Sequence, residues 1–271
     1  MVDAKKVEKE GAKVNVAGAQ ATTRFVVIHG DKGGVGKSFV AQALANFLCD
    51  RKVPVAIIDA DTQNPDVFRM FSGSLPTAQA NIRSENGWMD LMDFVAANQG
   101  CTIIMNTPAG IGEYMKDDLV SFSNFLKSQD IPIEMEMFWV MNANHDSVNL
   151  FGKAMEKYGR HFSKIRVVCN LHFSGGNVDA FVLWAESELR TRIEKAGGLT
   201  IYFPGLHIRV VTKVINPEKV IPFSDAADEA LGENLRFERS ERFKLQDWLS
   251  TIADRFAPAF PLLAGNDKGA K

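Results

Sequence analysis

Lys32, Gly33, Gly34, Val35, Gly36, Lys37 and Ser38 follow one another without interruption, and those residue types in that order suit the gripping of a phosphate chain. Glycines let backbone N–H groups converge on phosphate oxygens, a lysine reaches the outer phosphates, and a hydroxyl just after it can ligate Mg²⁺. The commoner form of this loop has a glycine at position 31; here Asp31 stands there and Gly30 falls one residue early. The second lysine, Lys32, is the other departure. The candidate binding stretch therefore runs from Asp31 through Phe39.

Such a loop works only between a strand and a helix, and both are predicted. Phe25-Val-Val-Ile28 is a β-branched apolar run, and Val40, Leu44, Phe47 and Leu48 recur at helical spacing. The helix thus opens at the loop, where its dipole favours an anion. A second run, Val55-Ala-Ile-Ile-Asp59, ends in Asp59 and is followed by Asp61. Carboxylates at the C-terminal ends of parallel strands lie where open α/β sheets bind ligands. A third, Cys101-Thr-Ile-Ile-Met105, ends in Asn106-Thr-Pro-Ala-Gly110, and a fourth, Val167-Val-Cys169, ends in Asn170.

In this order the four segments resemble the deviant Walker A ATPases of the ParA/MinD family, over residues 24 to about 170. The resemblance implies ATP and Mg²⁺ bound between the subunits of a homodimer, with slow hydrolysis releasing it. It implies that Lys37 and the amides of Gly33, Gly34 and Gly36 hold phosphates, that Ser38 holds the metal, and that Lys32 reaches the partner's nucleotide. Asp61 matches the residue that orients the attacking water, Asp59 sits nearer the metal, and Asn170 matches a reader of the adenine edge. Asn106 falls where the family's Walker B acid belongs. An amide oxygen can accept from a metal-bound water but brings no charge to a hard cation. A protein partner that stimulates hydrolysis is also implied, with plasmid DNA or a protein machine as cargo. The Gly-Lys-Ser-Phe continuation and the missing acid are similar to the version encoded with conjugal-transfer genes.

Other classes with this loop ask for features that are absent or weak. Membrane positioning needs basic residues around an amphipathic C-terminal stripe, whereas Leu245, Trp248, Leu249, Ile252 and Phe256 are accompanied by Asp247 and Asp254. Metal or iron–sulfur delivery needs paired cysteines, but Cys49, Cys101 and Cys169 are scattered and form no Cys-x-x-Cys. A small-molecule ligase would not need Lys32. DNA remains open as a partner: the net charge is −2, and the clusters Arg190/Arg192/Lys195 and Arg236/Arg239/Arg242/Lys244 read first as solvated helix faces.

The 271 residues, 46% hydrophobic and 24% charged, predict one α/β domain with a mainly parallel, doubly wound sheet covered on both faces. Strands are expected near 24–30, 54–59, 101–106, 131–142, 164–170 and 199–204. Helices are expected near 37–51, 88–98, 113–128, 146–160, 177–196 and 222–256, with a short edge strand at 208–215. Residues 1–22 read as a flexible leader, 23–257 as the domain and 258–271 as a flexible tail. No signal-peptide or membrane-span pattern is seen, which predicts a cytoplasmic protein.

Overall fold

The computed structural model describes residues 22–30, 32–215 and 220–261; Asp31, the first residue of the candidate stretch, lies outside them, as do 1–21 and 262–271. Seven strands form one sheet: β1 Thr23–His29, β2 Val55–Asp59, β3 Thr77–Gln79, β4 Thr102–Asn106, β5 Ile133–Met141, β6 Lys164–Asn170 and β7 Leu199–Phe203. Their order is β3-β2-β4-β1-β5-β6-β7, and every pairing is parallel. A parallel sheet is covered on both faces, so its strands read as nearly unbroken apolar runs. In β1, Val26 and Ile28 face one core and Phe25 and Val27 the other.

The helices divide between those cores. On the first lie α1 Lys37–Asp50, α2 Asp66–Phe71, α8 Ile208–Val214, α9 Phe223–Ala227 and α10 Arg239–Phe256; on the second lie α3 Glu85–Ala97, α4 Met115–Ser128, α5 His145–Tyr158, α6 Val182–Ala185 and α7 Glu188–Lys195. β1 holds the central place, with β4 and β5 hydrogen-bonded on either side. The C-terminal ends of β1, β2 and β4 therefore converge where the glycine-rich loop leaves the sheet.

The structure corrects several expected elements. The segment 208–215 is α8, not an edge strand: Val210 and Val214, four apart, are buried on one face, and His207 caps it by accepting from Arg209 N. The single helix expected over 177–196 is a 3₁₀ turn followed by α6 and α7, broken where Ser187 accepts from Arg190 N and starts α7 afresh. The span 222–256 holds two helices, of which α10 begins at a capping box between Glu238 and Glu241. β3 and α2 had no sequence signal.

The apolar stripe of α10 lies against the sheet. Leu245, Trp248, Ile252 and Phe256 are buried, and the Phe256 ring meets Phe203 at 6.1 Å. Beyond it the chain does not leave the core at once. Ala259 and Phe260 are each 2% exposed, and the Arg24 guanidinium lies 4.0 Å over the Phe260 ring while also pairing with buried Glu136.

Candidate functional site

The loop after β1 closes on itself because two of its glycines take a backbone few other residues adopt. Gly34 and Gly36 have φ of 73° and 97°, and a Cβ on Gly36 would overlap Asn170 Nδ2. Among the described residues no side chain caps the N-terminus of α1, the end of a helix that favours an anion. Lys37 is 7% exposed and its ammonium donates to Lys32 O at 3.1 Å, which folds the lysine back over the loop. In front lies a cavity of about 760 Å³ lined by Gly33, Gly34, Lys37, Ser38, Asp61 and Gln63, among others.

Behind the loop, β2 and β4 bring Asp59 and Asn106 side by side. Both are fully buried. Asp59 Oδ2 accepts from Val67 N and Phe68 N, each at 3.0 Å, and so anchors the start of α2. Its Oδ1 accepts from Asn106 Nδ2 at 2.9 Å and from Asp61 N at 3.3 Å. Burial raises the Asp59 carboxyl to about 6 against the pull of these donors. Asn106 Nδ2 also donates to Ser38 Oγ at 3.2 Å, and Asn106 Oδ1 is a buried acceptor with no partner among the described residues.

This donor set fits Mg²⁺ in one way only. Ser38 offers a hydroxyl, Asn106 turns its NH₂ group and not its carbonyl toward that hydroxyl, and both Asp59 oxygens already accept backbone or amide protons. An ion here would rest mainly on phosphate oxygens and water, a manner Mg²⁺ tolerates.

Asp61 lines the cavity, its carboxylate also accepting from Asn64 N. Lys32, next to Gly33 in the loop, has its ammonium 2.7 Å from Asp146 in the first turn of α5, and the lysine holds that carboxyl below its ordinary value. Two further residues of the candidate set are engaged by the protein itself. Asn170 is 4% exposed, donates to Val35 O at 2.8 Å and accepts from His172 N at 3.1 Å, so it braces the loop. Phe39 turns its ring onto Phe223, Trp248 and Phe203 at 5.3, 5.4 and 6.1 Å, so its side chain belongs to the core behind the loop.

The structure adds residues that spacing did not reveal. Arg83 lines the cavity and donates to Ala109 O at 2.7 Å, tying the loop after β3 to the loop after β4. His29, the last residue of β1, is buried between Thr107 Oγ1 at 2.9 Å and the Tyr158 hydroxyl at 2.7 Å. An arginine in a polar loop and a lone histidine at a strand end carry no signal of their own.

A family model described as ParA, NUBPL iron-transfer P-loop NTPase, matches residues 21–110. Protein MobD of Acidithiobacillus ferrooxidans is 32% identical over 188 residues, which are 68% of this chain and 78% of MobD. Solved structures overlay loosely. A nucleotide-binding protein from Archaeoglobus fulgidus, in complex with ADP, is 16% identical with a TM-score of 0.41 over 83% of this chain and 91% of its own. Cell division protein FtsY from Thermotoga maritima is 16% identical with a TM-score of 0.42 over 70% of this chain and 63% of its own.

Proposed function

Since this chain belongs to the ParA/MinD-like family of P-loop NTPases, we propose that it is an ATP-driven dimerising switch, in which bound nucleotide joins two subunits and slow hydrolysis parts them. The observation that carries this reading is the second lysine. Lys37 already folds over the loop, so Lys32 is not needed for the phosphates of its own subunit; it is held by an exposed ion pair of the kind worth only about 0–1 kcal/mol. A partner's nucleotide outbids Asp146 for that ammonium.

Within one subunit the loop amides of Gly33, Gly34 and Gly36 and the Lys37 ammonium would hold the phosphates, and Ser38 Oγ would hold the metal. Mg²⁺, when bound, neutralises charge on the outer phosphates. Asp61 orients the attacking water from the cavity wall. We assign the base to a hollow of about 490 Å³ lined by Leu171, His172, Gly205 and Trp248, where the chain continues from Asn170. Asp59 keeps α2, and with it the Asp61 loop, in register with the cradle.

For cargo, we favour a protein machine or plasmid DNA handled during conjugal transfer, a reading in keeping with MobD as a relative. A protein partner that stimulates hydrolysis fits better than direct binding to DNA. Arg190 is paired with Glu194 at 2.8 Å, and Arg242 donates to the carbonyls of Ala227 and Asp228. Membrane attachment through α10 is disfavoured because its stripe is buried; among the described residues no helix is long and apolar enough to cross a membrane.

Iron transfer is the second reading, favoured by the description of the matching family model. The cysteines of this chain give it little support. Burial raises the Cys49 thiol to about 11 and that of Cys169 further, which disfavours the metal-binding thiolate. Among the described residues no group of three His, Cys, Asp or Glu could hold a metal.

Light scattering with ATP and Mg²⁺ tests the switch. The expected result is a dimer for the unaltered chain and a nucleotide-bound monomer for Lys32→Ala. An ATP-induced dimer of Lys32→Ala would overturn the role given to that lysine.

A further inference from the structure

We propose that nucleotide is held at this site with little help from Mg²⁺, because Asn106 turns an N–H, and not an oxygen, toward Ser38. The inference rests on the nucleotide-binding reading and goes beyond it by making Asn106 a positioning residue that sets metal dependence.

The orientation of the amide is fixed from behind. Asp59 Oδ1 lies 2.9 Å from Asn106 Nδ2, and an ionised carboxylate only accepts, so the amide must present its NH₂ group there. Asp59 has no freedom to turn away, since its other oxygen is held by Val67 N and Phe68 N at the start of α2. The same NH₂ group has a second proton, and it reaches Ser38 Oγ at 3.2 Å. Asn106 Oδ1 is thereby directed away from both, and it is the amide atom left without a partner among the described residues.

The consequence falls on Ser38. One lone pair of its hydroxyl receives the amide proton, so the oxygen a cation would use sits at the positive end of a dipole. Mg²⁺ favours oxygen ligands and carboxylates near them. Here the nearest buried carboxylate already accepts four N–H groups, and presenting it to a cation would release the first residues of α2. What remains to hold phosphate is independent of the ion: the Lys37 ammonium, the loop amides and the positive end of the α1 dipole.

Asn106→Asp alone is a poor test, since it sets two carboxylates at hydrogen-bond distance in a buried place. The exchange of both residues, Asp59→Asn with Asn106→Asp, keeps one amide and one carboxylate in contact. The amide at 59 can still accept from Val67 N and Phe68 N, and the carboxylate now faces Ser38. Calorimetric titration with ADP, in excess Mg²⁺ and then in EDTA, is the experiment, with far-UV circular dichroism to check that the exchange variant folds.

For the unaltered chain the two dissociation constants are expected to agree within about threefold, and for the exchange variant to differ by at least tenfold, tighter with Mg²⁺. A loss of tenfold or more by the unaltered chain in EDTA overturns the inference, whatever the variant does. A folded exchange variant that also ignores Mg²⁺ would show that Asn106 is not what sets the dependence, and overturns it too. No ADP binding in either buffer would instead overturn the nucleotide-binding reading itself.

Discussion

His29 and Asp59 are both buried at the ends of strands behind the phosphate loop, and they pull the stability of the protein in opposite directions as pH changes. His29 is held down to about 3, first by burial and then by the Lys37 charge. Thr107 Oγ1 donates to Ile28 O, so it accepts from His29 Nδ1–H, and the Tyr158 hydroxyl donates to Nε2; the neutral ring is fully satisfied. An unfolded chain binds this proton below about pH 6.5 whereas the folded chain does not, so the stability it confers is present above that pH and is lost as pH falls toward 3. Between pH 7 and 5 the loss is about 2 kcal/mol. Asp59 runs the other way, because its folded value of about 6 exceeds the ordinary 3.8, so that protonation favours the folded chain. Its gain over the same interval is about 1 kcal/mol, and the histidine wins. Asp59→Asn removes the opposing term and should steepen the fall between pH 7 and 5 by about 1 kcal/mol. Urea unfolding at the two pH values reads the difference, and an unchanged or shallower fall in the variant contradicts it.

Among the elements, the aromatic contact between α1 and α10 ties the phosphate helix to the end of the domain. Trp248 is 4% exposed, packs on Phe39, Phe203 and Phe223, and donates from Nε1 to Pro204 O at 3.0 Å. Trp248→Ala should cost about 3–5 kcal/mol, whereas Trp248→Phe, which keeps a ring and loses the bond, should cost nearer 1 kcal/mol. Urea titration measures both, and equal losses would mean that ring packing is not the main term. The stripe on α10 was legible because Leu245, Trp248, Ile252 and Phe256 recur at the helical period. The strands were legible for a similar reason, being apolar runs that end in glycine or polar residues. α8 misled because Ile208, Val210, Val211 and Val214 are β-branched, and their i, i+4 burial depends on where α10 sits. α2 and β3 were silent for another cause: six residues held by Asp59 and three held by β2 owe their form to distant partners. The site divides in the same way. The cradle is local and could be read from spacing, but the orientation of the Asn106 amide is decided by a carboxylate on another strand.

At the scale of the whole molecule, the order of the strands matters more than any single contact. β1 is bracketed by β4 and β5, so Phe25 is opposite Ile103 and Thr23 opposite Ile133, and the far end of the chain returns to lay α10 on α1 and Phe260 under Arg24. Such long-range parallel pairing is slow to form, since loop closure precedes any reward from contact. Refolding from urea, followed through the buried Trp139 and Trp184, is expected to take about milliseconds to seconds, and a microsecond phase that recovers the full signal would contradict it. The same arrangement sets a timetable on the ribosome. The glycine-rich loop is made before the strands β4 and β5 that frame β1 and well before α10, which backs the phosphate helix. A nascent chain therefore displays its glycine-rich loop before the elements that shape the cradle exist, and the cradle is complete only once α10 has been made and packed on α1.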